Sequence, residues 1–224
     1  MPFDDAPAES LAARLHRLIG AEEAEKSLRS YFGIGGEAYT GSWFESLAGG
    51  GDRADTANVV TAEDLIAVQT LSVTVPVRVA VDLLEGDLGR LMSEQLARIP
   101  VGVDMADAAA AELAEGSAAH TAWTLLRSRP EVGWVIAGKL MARKRPRLLP
   151  VYDNVVKCAL GRPRDFWLGL HAALRAEDGA LHRELTALGR RAGVPGDVSA
   201  LRVCDVVVWT GHHERHRAKN CAGG

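Results

Sequence analysis

Asp153 is the residue of this 224-residue chain placed best to do chemistry. It follows Pro150 and opens a helical pattern, where its carboxylate caps the helix or faces a substrate. Gly133 lies 20 residues before it, in the turn Pro130-Glu131-Val132-Gly133. A Gly turn that opens a short helix points backbone N–H groups at an anion, and the helix dipole adds to the attraction. Between the two, Lys139, Arg143, Lys144, Arg145 and Arg147 bring five positive charges with no acid among them. Five phosphate contacts would give a slope of log K on log salt of about −4 to −5. The segment can thus hold a DNA phosphate at one end and a single acid near a sugar at the other. The competing readings are a solvated basic loop and an aspartate that only caps its helix.

The elements that must position these residues read as helix almost throughout, so the fold class is all-α. Leu11, Leu15, Leu18 and Ile19 keep helical spacing. Thr61 is placed to cap a helix through the N–H of Asp64, with early acids favouring its dipole. Further helices are expected over 77–84, 88–99, 117–128, 134–143, 153–160, 164–176, 178–192 and 199–210. Val206-Val207-Val208 is β-rich, yet Leu201, Asp205 and Trp209 keep helical spacing, which predicts a buried helix. Residues 33–51 are loop-rich and carry Tyr39, Trp43 and Phe44.

Bulk properties narrow the classes. The chain is 47% apolar and 25% charged, a globular composition. No apolar run reaches membrane-spanning length and the first residues lack a signal-peptide pattern, so a cytoplasmic protein without membrane contact is expected. Residues 1–120 hold 8 Lys/Arg against 20 Asp/Glu, whereas residues 121–224 hold 18 against 9. Nucleic-acid contact would fall on the basic half; alternatively, the halves simply attract each other. Cys158, Cys204 and Cys221 form no metal-ligand spacing, and Cys158 and Cys204 read as small core residues. His212 and His216, at i and i+4, lack an evident partner other than Cys221, so they read as part of a basic tail touching DNA, and no metal is expected.

Pro130, Val132, Gly133, Ala137, Pro146, Val151, Asp153 and Val156 fit the outline P-G-V-G-x-x-x-A, a proline-bearing loop, then V-D-x-x-V. In this the chain resembles the helix-hairpin-helix DNA glycosylase superfamily. Asp64 to Ser72 resembles the superfamily helix that runs into a minor-groove wedge loop. The stretch A-G-K-L-x-A-R-K-R-P-R-L-x-P-V-Y-D, from Ala137 to Asp153, resembles an actinobacterial family of unknown function. It is also similar to bacterial anti-phage glycosylases acting on glucosylated hydroxymethylcytosine.

The resemblance implies a monomer that binds double-stranded DNA in a cleft between two helical lobes, an acidic one at about 1–116 and a basic one at about 117–224. Gly133, Trp134, Val135, Lys139, Arg143, Lys144 and Arg145 would contact DNA, with Thr74 as wedge. Asp153 would stabilise an oxocarbenium-like sugar or activate water. Tyr31, Tyr39, Trp43, Phe44, Tyr152 and Asn154 would line the pocket for the flipped base, although core packing is the competing role of each aromatic. Val135 stands where bifunctional members carry a Schiff-base Lys, which implies base removal by hydrolysis; Lys139, one turn on, could substitute. Glu131 replaces the first hairpin Gly. No cofactor is implied, since the iron–sulfur cysteines are absent. Repair of damaged bases, a non-catalytic DNA-binding hairpin and a protein-binding role for the charged faces are the alternatives.

Overall fold

The computed structural model describes residues 9–163 and 165–218. Among these the protein is all-helical, with no strand. Its helices are α1 (Leu11–Ile19), α2 (Glu23–Tyr31), α3 (Ala62–Gln69), α4 (Val77–Glu85), α5 (Asp87–Leu96), α6 (Ala118–Arg127), α7 (Trp134–Lys144), α8 (Asn154–Ala159), α9 (Phe166–Ala192) and α10 (Ala200–Ala218). α9 is broken at Ala176–Gly179, where Glu177, Asp178 and Gly179 take positive φ. The β-branched run Val206–Val208 is buried within α10, because a helix packed on all sides rewards apolar bulk over intrinsic propensity.

Local chemistry sets the helix starts. Ser10, Thr61, Ser117 and Asp153 each accept a backbone N–H at the N-cap of α1, α3, α6 and α8. At α3 the cap is reciprocal: Thr61 Oγ1 accepts from Asp64 N, and Asp64 Oδ2 accepts from Thr61 N at 3.0 Å.

The packing does not divide near residue 116. α1 and α2, from the acidic half, lie on α9 and α10, from the basic half, while α7 packs on α3 and α6 and α6 on α5. The buried apolar residues form one continuous cluster. Opposite charges of the two halves meet across these contacts, as in Arg191–Glu25 between α9 and α2 at 3.6 Å.

The end of α7 organises the loop between α2 and α3. Arg143, Lys144 and Arg145 are each only 1% exposed. Arg143 donates to the carbonyls of Phe44, Glu45 and Leu47, each at 2.7 Å. Its Nε reaches Asp64 Oδ1 at 2.9 Å, and Lys144 Nζ reaches Asp64 Oδ2 at 2.8 Å and Thr56 O at 2.9 Å. Arg145 donates to Ala57 O, Ile99 O, Leu96 O and Asn58 Oδ1. Carbonyls on the inner side of this irregular loop have no helix or sheet partner, and the three cations satisfy several of them. Burial pushes the Lys144 amine below its usual range against the pull of Asp64, and pushes Arg145 down to about 10. The expectation that Arg143, Lys144 and Arg145 contact DNA is therefore overturned: their charges are spent inside the protein.

Candidate functional site

Asp153 sits at the junction between the Pro150 turn and α8. Its Oδ1 accepts from Val155 N at 3.0 Å and Val156 N at 3.1 Å. This cap is worth about 1 kcal/mol and fixes the carboxylate's direction. Oδ2 lies 3.5 Å from Lys139 Nζ. Lys139 is itself buried and donates to Leu71 O at 2.9 Å, so one amine ties α7, the end of α3 and the candidate acid together. Lys139 thus serves this site rather than a phosphate backbone.

The acid and the amine line a cavity of about 320 Å³, near the lower end of small-ligand pockets. Tyr31 and Tyr39 form one wall, stacked with ring centres 5.2 Å apart and planes 7° from parallel, with Trp209 edge-on to both. Gly41 lets Tyr31 in, since a Cβ there would collide with the phenol oxygen. Val135 and Asn154 complete the side nearest Asp153. At the rim, Ser72 takes φ +61°. A non-glycine residue held there stores on the order of 1–3 kcal/mol, which clusters at functional loops.

Arg202 and Asp205 of α10 also face this cavity. Both are buried and paired with each other, and Arg202 further donates to Tyr31 Oη and to Gly41 O. Burial pushes the Asp205 carboxyl up to about 7 against the pull of Arg202, and the nearby Asp153 charge adds to the rise. Burial also opposes the charge of Arg202, yet Asp205, Tyr31 and Glu45 together raise its pKa. Asp153 is held by backbone N–H groups and Asp205 by the buried Arg202 guanidinium, so the two acids of the cavity stand in different environments. Arg202, Asp205 and Trp209 were missed as site residues. Asp205 and Trp209 enter the sequence reading only through their helical spacing with Leu201, and Arg202 does not enter it.

Several expected site residues lie elsewhere. Phe44 is fully buried core beneath Arg202. Trp43 is 59% exposed and does not line the Asp153 cavity. Tyr152 turns away from the acid that follows it. It stacks on Phe166 at 3.9 Å and, with Trp134, lines a neighbouring cavity of about 740 Å³. Thr74 is exposed after α3, outside the cavity that Leu71, Ser72 and Val73 line.

In the turn before α7, Glu131, which stands where the resemblance expects a glycine, itself adopts φ +62°. Val132 anchors the turn in the core and Gly133 caps α7 without any side-chain hydrogen bond. A Cβ on Gly133 would meet nothing within 4 Å, and its φ of −78° suits any residue. The fold itself does not require glycine at that position.

No curated protein and no solved structure matches the chain. A family model does, over residues 24–212, from α2 through the cavity-lining part of α10. The chain therefore belongs to DUF6308, a family of unknown function.

Proposed function

We propose that the protein is a monofunctional DNA glycosylase with a helix-hairpin-helix-like arrangement of α6, α7 and α8. It hydrolyses the N-glycosidic bond of a flipped, modified base. The observation that carries this reading is the junction of Asp153, Lys139 and the Tyr31–Tyr39 stack in one cavity. Aromatic faces stack a base taken out of the duplex, which offsets part of the few kcal/mol that flipping costs. Asp153 Oδ2 then stabilises the cationic sugar or draws a proton from water. Lys139 contributes a nearby positive charge to Asp153. Val135 offers no amine at the Schiff-base position and the Lys139 amine is held by Leu71 O and Asp153, so the base leaves, water adds to the sugar cation and an abasic site remains in the strand.

The α7 N-terminus supplies the phosphate contact. Gly133 lacks an intramolecular reason to be glycine, and the first N–H groups of α7 have no side-chain cap, as expected where a phosphate lies close. The Lys157 amine, over the Trp134 ring at 5.2 Å, is a further cation beside the start of α7.

The test is incubation with plain, uracil-containing, alkylated and glucosylated phage DNA, scoring alkali-labile sites. Base release from one of the modified DNAs is expected. Asp153→Asn, which keeps the capping oxygen, should abolish release and leave DNA affinity nearly intact. Salt-sensitive DNA binding without release from any substrate would replace the enzyme with a DNA-binding hairpin in which Asp153 only caps α8.

A further inference from the structure

A second constellation lies away from the Asp153 cavity. α8 packs along α10, and this brings Cys158 against the C-terminal turns of α10. His212 and His216 are four residues apart and share a face of that helix. The ligand atoms of Cys158, His212 and His216 all lie within 4.8 Å of one another. His212 Nε2 is 3.3 Å from Cys158 Sγ. His216 Nδ1 is buried with no hydrogen-bond partner among the described residues. The intervening His213 is turned away and lies flat on Trp209, ring centres 4.4 Å apart.

We infer that Cys158, His212 and His216 bind a single Zn2+ ion that clamps α8 to α10. One thiolate with two imidazoles is a donor set that suits zinc, with Zn–S near 2.3 Å and Zn–N near 2.0–2.1 Å. Tetrahedral angles at those bond lengths put sulfur about 3.6 Å from each nitrogen and the nitrogens about 3.4 Å apart. The Cys158–His212 pair is already close to this separation, and the third ligand needs a movement of about an ångström. Three protein ligands leave the fourth position open for water or another donor. The thiol gives up its proton on binding, so affinity falls as pH drops.

The clamp joins the two elements that share the Asp153 cavity: α8 begins at the Asp153 cap, and α10 carries Arg202, Asp205 and Trp209. The inference stands on this cluster alone and does not depend on the glycosylase proposal.

The test uses the full chain, stripped with a chelator and titrated with Zn2+ or with Co2+ as a spectroscopic probe. One equivalent should bind. Co2+ should give the visible bands of tetrahedral cobalt with a near-ultraviolet sulfur-to-cobalt charge-transfer band, and Zn2+ should raise Tm. Cys158→Ser should remove the charge-transfer band. His216→Gln, at a half-exposed position near the end of α10, should weaken Zn2+ binding by more than about tenfold, the least that even outer-shell changes cost. His213→Gln should retain the site. Absence of the charge-transfer band in the wild-type chain would overturn the inference and leave Cys158–His212 as a hydrogen bond. Its persistence in Cys158→Ser, or unweakened binding in His216→Gln, would overturn it equally.

Discussion

Asp64→Ala tests whether the basic run is internal scaffold. Asp64 accepts from Arg143 and Lys144 and closes the capping box on α3. Removing it strands two buried cations with only carbonyl dipoles. Breaking a buried pair by deleting one partner costs about 3–5 kcal/mol, and loss of the reciprocal cap adds about 1 kcal/mol. A loss of about 4–6 kcal/mol corresponds to a fall in Tm of about 8–24 °C at this chain length. Urea unfolding followed by circular dichroism, with the slope m compared between variants, reads the loss directly. Adding Lys144→Met to Asp64→Ala should recover part of it, because the uncompensated ammonium is gone; a double-mutant cycle gives the coupling. A loss below about 1.5 kcal/mol at unchanged m, or strict additivity in the cycle, would refute the scaffold reading.

Two further outcomes follow from the site. Gly133→Ser should leave stability unchanged or slightly raised, since the hydroxyl can cap α7 and its Cβ meets nothing. The same change should weaken DNA binding by crowding the phosphate, and equal affinities by fluorescence anisotropy would remove Gly133 from the interface. The Asp205 carboxyl keeps its proton to about pH 7 in the folded chain against an ordinary 3.8. The folded state therefore binds more protons than the unfolded state between those values, and the Asp205 contribution to stability declines as pH rises through that window. Asp205→Asn should flatten this part of the stability–pH profile, and an unaltered decline would assign it to another group.

Features encoded within a turn or two of chain were legible in the sequence. The Thr61–Asp64 cap and the Asp153 cap need only residues three apart, and the helical reading of Val206–Val208 needed only neighbours on one face. Features that depend on distant partners were not. Nothing near Arg143–Arg145 marks them as buried, because their acceptors are mostly backbone carbonyls, which any sequence supplies. In sequence Lys139 reads both as a member of the basic run and as a possible substitute for the Schiff-base Lys, and only the fold shows it 3.5 Å from Asp153. Cys158 and His212 lie 54 residues apart, and only the docking of α8 on α10 unites them.

The cations at the end of α7 also impose an order on folding. Residues 44–58 leave the ribosome long before the groups that satisfy their carbonyls, since the bonds from Arg143, Lys144 and Arg145 to this loop span 87 to 99 residues. At about 5–20 residues per second, that interval is on the order of 5–20 s. During it the carbonyls that α7 later satisfies have water for their partners. The wall of the Asp153 cavity that Tyr39 and Gly41 provide adjoins this loop, so completion of the cavity waits for α7.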